Sequence, residues 1–129
     1  EELSTLLHGG LEHAPDENLG FNLQLLKPQT KFVAIPDERR ILAALQPLHE
    51  AWSGVKLTPV KAYGLRVYVN GSTLLMHHDK VADHVISSIV HVGHDEEAEP
   101  WPLAIEGFDG RTYEADLRAG EMLFYESAK

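Results

Sequence analysis

The chain has no cysteine, so disulfide frameworks, thiolate zinc sites and cysteine nucleophiles are all excluded. Basic residues are scarce. Only 11 Lys and Arg stand against 20 Asp and Glu, for a formal net charge of -9. Nucleic-acid binders need clustered Lys and Arg to displace phosphate counterions, so a nucleic-acid partner is not expected. The same imbalance disfavours docking on an anionic membrane. No apolar run approaches the length of a membrane span, and no signal peptide is visible. There is no internal repeat, no low-complexity stretch and no linker. What remains is 129 residues, 43% of them hydrophobic: enough for one domain with a core.

Residues 1–30 carry little pattern. Leu3, Leu6 and Leu7 suit a short helix ahead of Gly9-Gly10, and Leu19 to Leu26 suit a strand ended by Pro28. A clear amphipathic helix begins with Asp37 as N-cap, repeats apolar residues at Ile41, Leu45, Leu48 and Trp52, and stops at Gly54. Pro47 lies inside it and predicts a kink or a second short helix. From Lys56 the period changes to two. Leu65, Val67 and Val69 alternate with Arg66 and Tyr68, and Asn70-Gly71 makes a turn. Val85 to Val92 reads as a strand, Gly93 to Pro100 as an acidic loop, and Trp101 to Gly107 with Arg111 to Leu117 as a hairpin about Asp109-Gly110. Met122 to Tyr125 is the last strand. The expected fold is mostly β with N-terminal helices (α+β), as a sandwich or barrel. Residues 1–55 form a helical support region and 56–129 a β-strand core of a single domain.

His77-His78-Asp79 is the sharpest local feature. On a strand, residues two apart share a side, so His77 and Asp79 face one cavity and His78 faces away. An imidazole and a carboxylate suit a ferrous ion, with one more histidine completing a facial triad. Zinc accepts the same ligand types. In a chain with 8 His and 7 Asp such a triplet arises readily by chance, and an exposed polar strand end is the bland reading. His8, His13 and His49 have no local partner and read as surface or packing residues. His84, His91 and His94 raise the alternative of a separate metal cluster. Asp95, Glu96, Glu97 and Glu99 read as a solvated loop, or as a lid attracting a basic peptide. Trp101 and Tyr113 read as strand-face packing, and Glu114 with Asp116 as the wet side of a strand.

The order of features is more specific than any one of them. Tyr68, the Gly71 turn, His77-x-Asp79, the β-rich strand, the Trp101 strand and Ala119-Gly120-Glu121-Met122-Leu123-Phe124-Tyr125 together resemble the prolyl 4-hydroxylase-like branch of the 2-oxoglutarate- and Fe(II)-dependent dioxygenases. The resemblance covers roughly residues 60–129. It implies a double-stranded β-helix (jelly roll), incomplete at its C-terminus, and a hydroxylase that uses Fe(II), 2-oxoglutarate and O2, with ascorbate as an optional reductant. His77 and Asp79 match the first two iron ligands, and Tyr68 matches a tyrosine that contacts 2-oxoglutarate. His91 stands where many members have a second tyrosine, and Leu103 matches an apolar residue of the cosubstrate pocket. Pro100-Trp101-Pro102 replaces the usual Gly-Gly. The third ligand and the basic cosubstrate anchor are expected after Lys129, so the chain is read as a truncated piece whose open edge invites self-association. The implied substrate is a prolyl or other residue of a polypeptide. The alternative is a non-catalytic, cupin-like jelly-roll binding domain with an incidental metal site.

Overall fold

The computed structural model describes residues 1–17, 25–26 and 30–127. Most of the strand expected over Leu19 to Leu26 lies outside those residues; its last two, Leu25–Leu26, form β1. Helix α1 spans Glu2–Leu11, so it runs through Gly9-Gly10 instead of ending before them. The reason is a close approach. A Cβ at Gly10 would sit 2.6 Å from Val33 Cγ1, so the missing side chain is what lets α1 pack on β2 (Lys31–Val33).

Helix α2 spans Glu38–Ser53. Asp37 caps it by accepting from the Arg40 N–H at 3.1 Å, and Gly54 ends it at φ 73°, a left-handed conformation that costs glycine nothing. Both ends are as the sequence predicts. Pro47 does not divide it: the helix is continuous. The carbonyl that Pro47 leaves without a helical donor belongs to Ala43, which is exposed and can be solvated.

The remaining strands are β3 (Leu65–Val67), β4 (Thr73–Leu74), β5 (Ile86–Val90), β6 (Leu103–Glu106), β7 (Thr112–Ala115) and β8 (Met122–Glu126). Among the described residues they form four two-stranded antiparallel ladders: β1 with β4, β2 with β3, β5 with β8, and β6 with β7. The mixed helix-and-sheet class is therefore as expected, while the ladders as described do not close into a barrel. The pairing is nested. β2–β3 lies inside β1–β4, and the β6–β7 hairpin lies inside β5–β8. The segment before residue 55 thus supplies two strands as well as helices.

Two of these ladders frame the site. In β5–β8, Ser88 pairs with Phe124 and Ser87 with Tyr125. Alternation puts the two pairs on opposite faces. Phe124 meets α2, with Trp52 stacked on it at 5.7 Å and His49 edge-on at 4.9 Å. His49 also bridges Leu45 O and Ser88 Oγ, both at 2.9 Å. It is therefore a pin between α2 and β5, a packing residue whose main partners lie far off in sequence. The Tyr125 face points the other way. Burial is thin: Val33 is the one buried apolar residue among those described, with Thr30 and Ser127 the buried polar ones. Two-stranded ladders leave much of both faces uncovered, and Trp52, Tyr63, Trp101 and Phe108 are all exposed.

Candidate metal centre

His77, His78 and Asp79 do not lie on a strand. Strand β4 ends at Leu74, and residues 75–80 form a loop. The loop's backbone bonds leave the ladder: the Asp79 N–H donates to Ser127 O at 2.8 Å, docking the loop on the end of β8. The same-side argument from strand alternation therefore fails, yet the pairing it predicted is present. His77 Nε2 lies 3.8 Å from Asp79 Oδ1. His78 turns elsewhere, its Nδ1 meeting the Asp79 carbonyl at 2.9 Å.

The tautomer of His77 follows from its neighbour. Nδ1 is 2.7 Å from the Leu75 carbonyl, which can only accept, so Nδ1 carries the proton. Nε2, the other ring nitrogen, is the one that faces the Asp79 carboxylate. A backbone carbonyl holding the non-ligating nitrogen is the usual outer support of a metal-bound histidine. The other carboxylate oxygen, Asp79 Oδ2, accepts from the Tyr125 hydroxyl at 3.4 Å. Burial pushes the Tyr125 phenol up to about 12, and the charge of Asp79 adds to the effect.

The donor set fits a borderline divalent cation. An ion about 2.1 Å from both atoms, in adjacent octahedral positions, would set them about 3.0 Å apart. The 3.8 Å separation closes to that with a side-chain movement of about 0.8 Å. Two ligands are what this loop offers. Among the described residues no group of three or more His, Cys, Asp or Glu could hold a metal ion.

Tyr68 is brought to the same region. Its charge contributes to the raised Tyr125 phenol, and its ring meets Trp101 edge-on at 4.6 Å. Trp101 therefore precedes β6 and packs across to Tyr68, in place of the strand-face role expected of it. Tyr113 is also exposed, its hydroxyl donating to Asp109 Oδ2 at 2.8 Å. Arg66, on the same side of β3 as Tyr68, donates to both Glu17 oxygens at 2.7 Å. Burial pushes Glu17 up, but Arg66 and Thr30 outweigh it and hold the carboxyl below its ordinary value. Leu103 opens β6 opposite Ala115, half-buried, two residues after Trp101.

His91 shares the Tyr125 face of β5 but lies four residues beyond Ser87, about 13 Å along the strand. There its ring meets His94, Nε2 to Nδ1 at 2.8 Å. The structure thus gathers His77, Asp79, Tyr68 and Tyr125, and sets His91 apart. His84 has partners of its own, Asp83 Oδ1 at 2.7 Å and the Tyr63 hydroxyl at 3.4 Å. Sequence reasoning missed the Tyr125 and Trp101 contacts. The signal for Tyr125 was its place in the last strand, in register with Ser87.

Comparison with family models, curated proteins and solved structures returns no match for this chain.

Proposed function

We propose that this chain is part of an Fe(II)- and 2-oxoglutarate-dependent hydroxylase that acts on prolyl or other residues of a polypeptide. The observation that carries the reading is His77: its Nδ1 is held by Leu75 O, and its Nε2 faces Asp79 Oδ1 3.8 Å away. The nested antiparallel ladders support a jelly-roll architecture for the domain. His77 and Asp79 would hold the iron, and the third ligand and basic anchor would come from residues after Lys129. Bound iron with 2-oxoglutarate and O2 supplies oxidative decarboxylation coupled to hydroxylation of a C–H bond.

The chain's own residues do the positioning. Leu75 O fixes the His77 tautomer, Ser127 O fixes the Asp79 backbone, and Tyr125 holds the second Asp79 oxygen. Tyr68 offers a phenol to the cosubstrate, with Trp101 limiting its ring motion. Leu103 supplies apolar lining. The distance of His91 from Ser87 weighs against the cosubstrate contact that the resemblance gives it.

A second reading is favoured by the two-ligand count: a non-catalytic jelly-roll domain that takes up metal incidentally. Succinate release from 2-oxoglutarate by the full-length protein with Fe(II) separates the two. The hydroxylase reading expects turnover that falls at least about a hundredfold in His77→Ala and Asp79→Ala, as loss of a metal ligand should cost no less than loss of its outer support. Turnover unchanged in both variants rejects that reading. Metal uptake at these residues without any 2-oxoglutarate consumption selects the second.

A further inference from the structure

We propose that His91 and His94 form a second metal site, one that takes late first-row divalent ions such as Ni(II) or Cu(II), separate from His77 and Asp79. His91 is held firmly. Its N–H donates to Glu121 O at 2.9 Å, and its carbonyl accepts from the Gly120 N–H at 2.7 Å, so its backbone is tied to the turn that leads into β8. Three residues on, the exposed His94 swings back until its Nδ1 is 2.8 Å from His91 Nε2.

Two imidazole nitrogens this close must share something between them. With both rings neutral it is one proton, since one nitrogen must donate and the other accept. A metal ion about 2.0–2.1 Å from each nitrogen would see the two at about 85–90°. That angle is compatible with adjacent positions of a square or octahedral site, the geometry of Cu(II) and Ni(II). The exposed His94 ring is free to swing so that both lone pairs converge. Solvent reaches the open positions, and the following loop carries Asp95, Glu96, Glu97 and Glu99, all exposed, whose summed charge raises the local cation concentration. Imidazole nitrogen is a favoured donor for these ions, and Cu(II) stands highest in the general affinity order.

The site does not depend on the hydroxylase reading, and it gives His91 a role other than cosubstrate contact. The probe is Ni(II) alone, titrated calorimetrically into the intact chain and into three variants. His94→Ala should weaken binding at least about tenfold, the loss that even an outer-shell partner brings. His91→Ala should do the same, while Asp79→Ala should leave this affinity unchanged. His94 is exposed, so its replacement should not unfold the chain, and an unaltered circular dichroism spectrum verifies that. Thermal stabilisation by Ni(II), expected in the Asp79→Ala background and lost when His94→Ala is added to it, is an independent readout. Equal affinity in wild type and His94→Ala, or a loss in Asp79→Ala alone, overturns the proposal.

Discussion

The Tyr125 hydroxyl donates to Asp79 Oδ2 at 3.4 Å across 46 residues of sequence, joining the last strand to the loop that carries His77 and Asp79. Burial and the facing carboxylate together push the phenol up to about 12. A raised folded-state value gives stability that is complete below the ordinary tyrosine range, near 10. It is lost as pH rises from there through 12. Of the chain's 4 tyrosines, Tyr113 is also pushed up, by its hydrogen bond to Asp109, and the Tyr125 phenol should ionise last in an absorbance titration. Asp79→Asn should move that late transition down while leaving it above 10, because burial persists. An identical titration curve in the variant would show that Asp79 is not the cause.

Arg66 and Glu17 form a two-pronged pair, with 33% and 15% of their side-chain surface exposed. Removing one partner leaves the other partly desolvated. Arg66→Ala should cost about 1–3 kcal/mol in denaturant unfolding, and Glu17→Gln somewhat less, since the amide still accepts. Glu17 is held below its ordinary value, so its contribution is present above pH 4.5 and fades as pH falls below that. High salt should reduce the Arg66→Ala cost only modestly, because the pair is half sheltered. A cost that vanishes in salt would mark the pair as a solvated surface contact.

Pro47→Ala should stabilise the chain by about 1–3 kcal/mol, since it restores an N–H to the Ala43 carbonyl and removes the ring clash. The urea midpoint should rise with no change in slope. A fall in the midpoint would mean that the local geometry Pro47 imposes is needed for α2 to reach Phe124.

His49 makes two kinds of contact with the β5–β8 ladder, a hydrogen bond to Ser88 and an edge contact with Phe124. His49→Ala should cost about 1–3 kcal/mol, and His49→Phe less, because the ring contact survives while Ser88 Oγ loses its partner. Equal costs for both would assign the whole effect to the hydrogen bond.

Several elements were legible because their causes are local. Asp37 and Gly54 bound α2, since a cap needs only an acceptor at one end and a left-handed residue at the other. The β6–β7 hairpin follows from Asp109-Gly110 between two alternating runs. Other features depend on approach between distant segments and could not be read. Helix α1 passes through Gly10 because Val33 packs there. His77 and Asp79 were paired for the wrong reason: alternation on a strand was expected, but a loop docked on Ser127 brings them together. Three histidines judged by neighbours in sequence, His49, His84 and His91, all have partners that folding supplies.

The sequence by itself determined the absence of thiol chemistry, the acidic surface, the long helix, the strand and turn order, and His77 with Asp79 as the pair to watch. Those follow from residue types and short spacings. Only the tertiary structure decided which ring nitrogen of His77 meets Leu75 O, which strand the His77–Asp79 loop docks on, and that Tyr125 and not His91 stands beside Asp79. Each of those rests on contacts between segments tens of residues apart, where the energy of a hydrogen bond depends on geometry that no local pattern encodes.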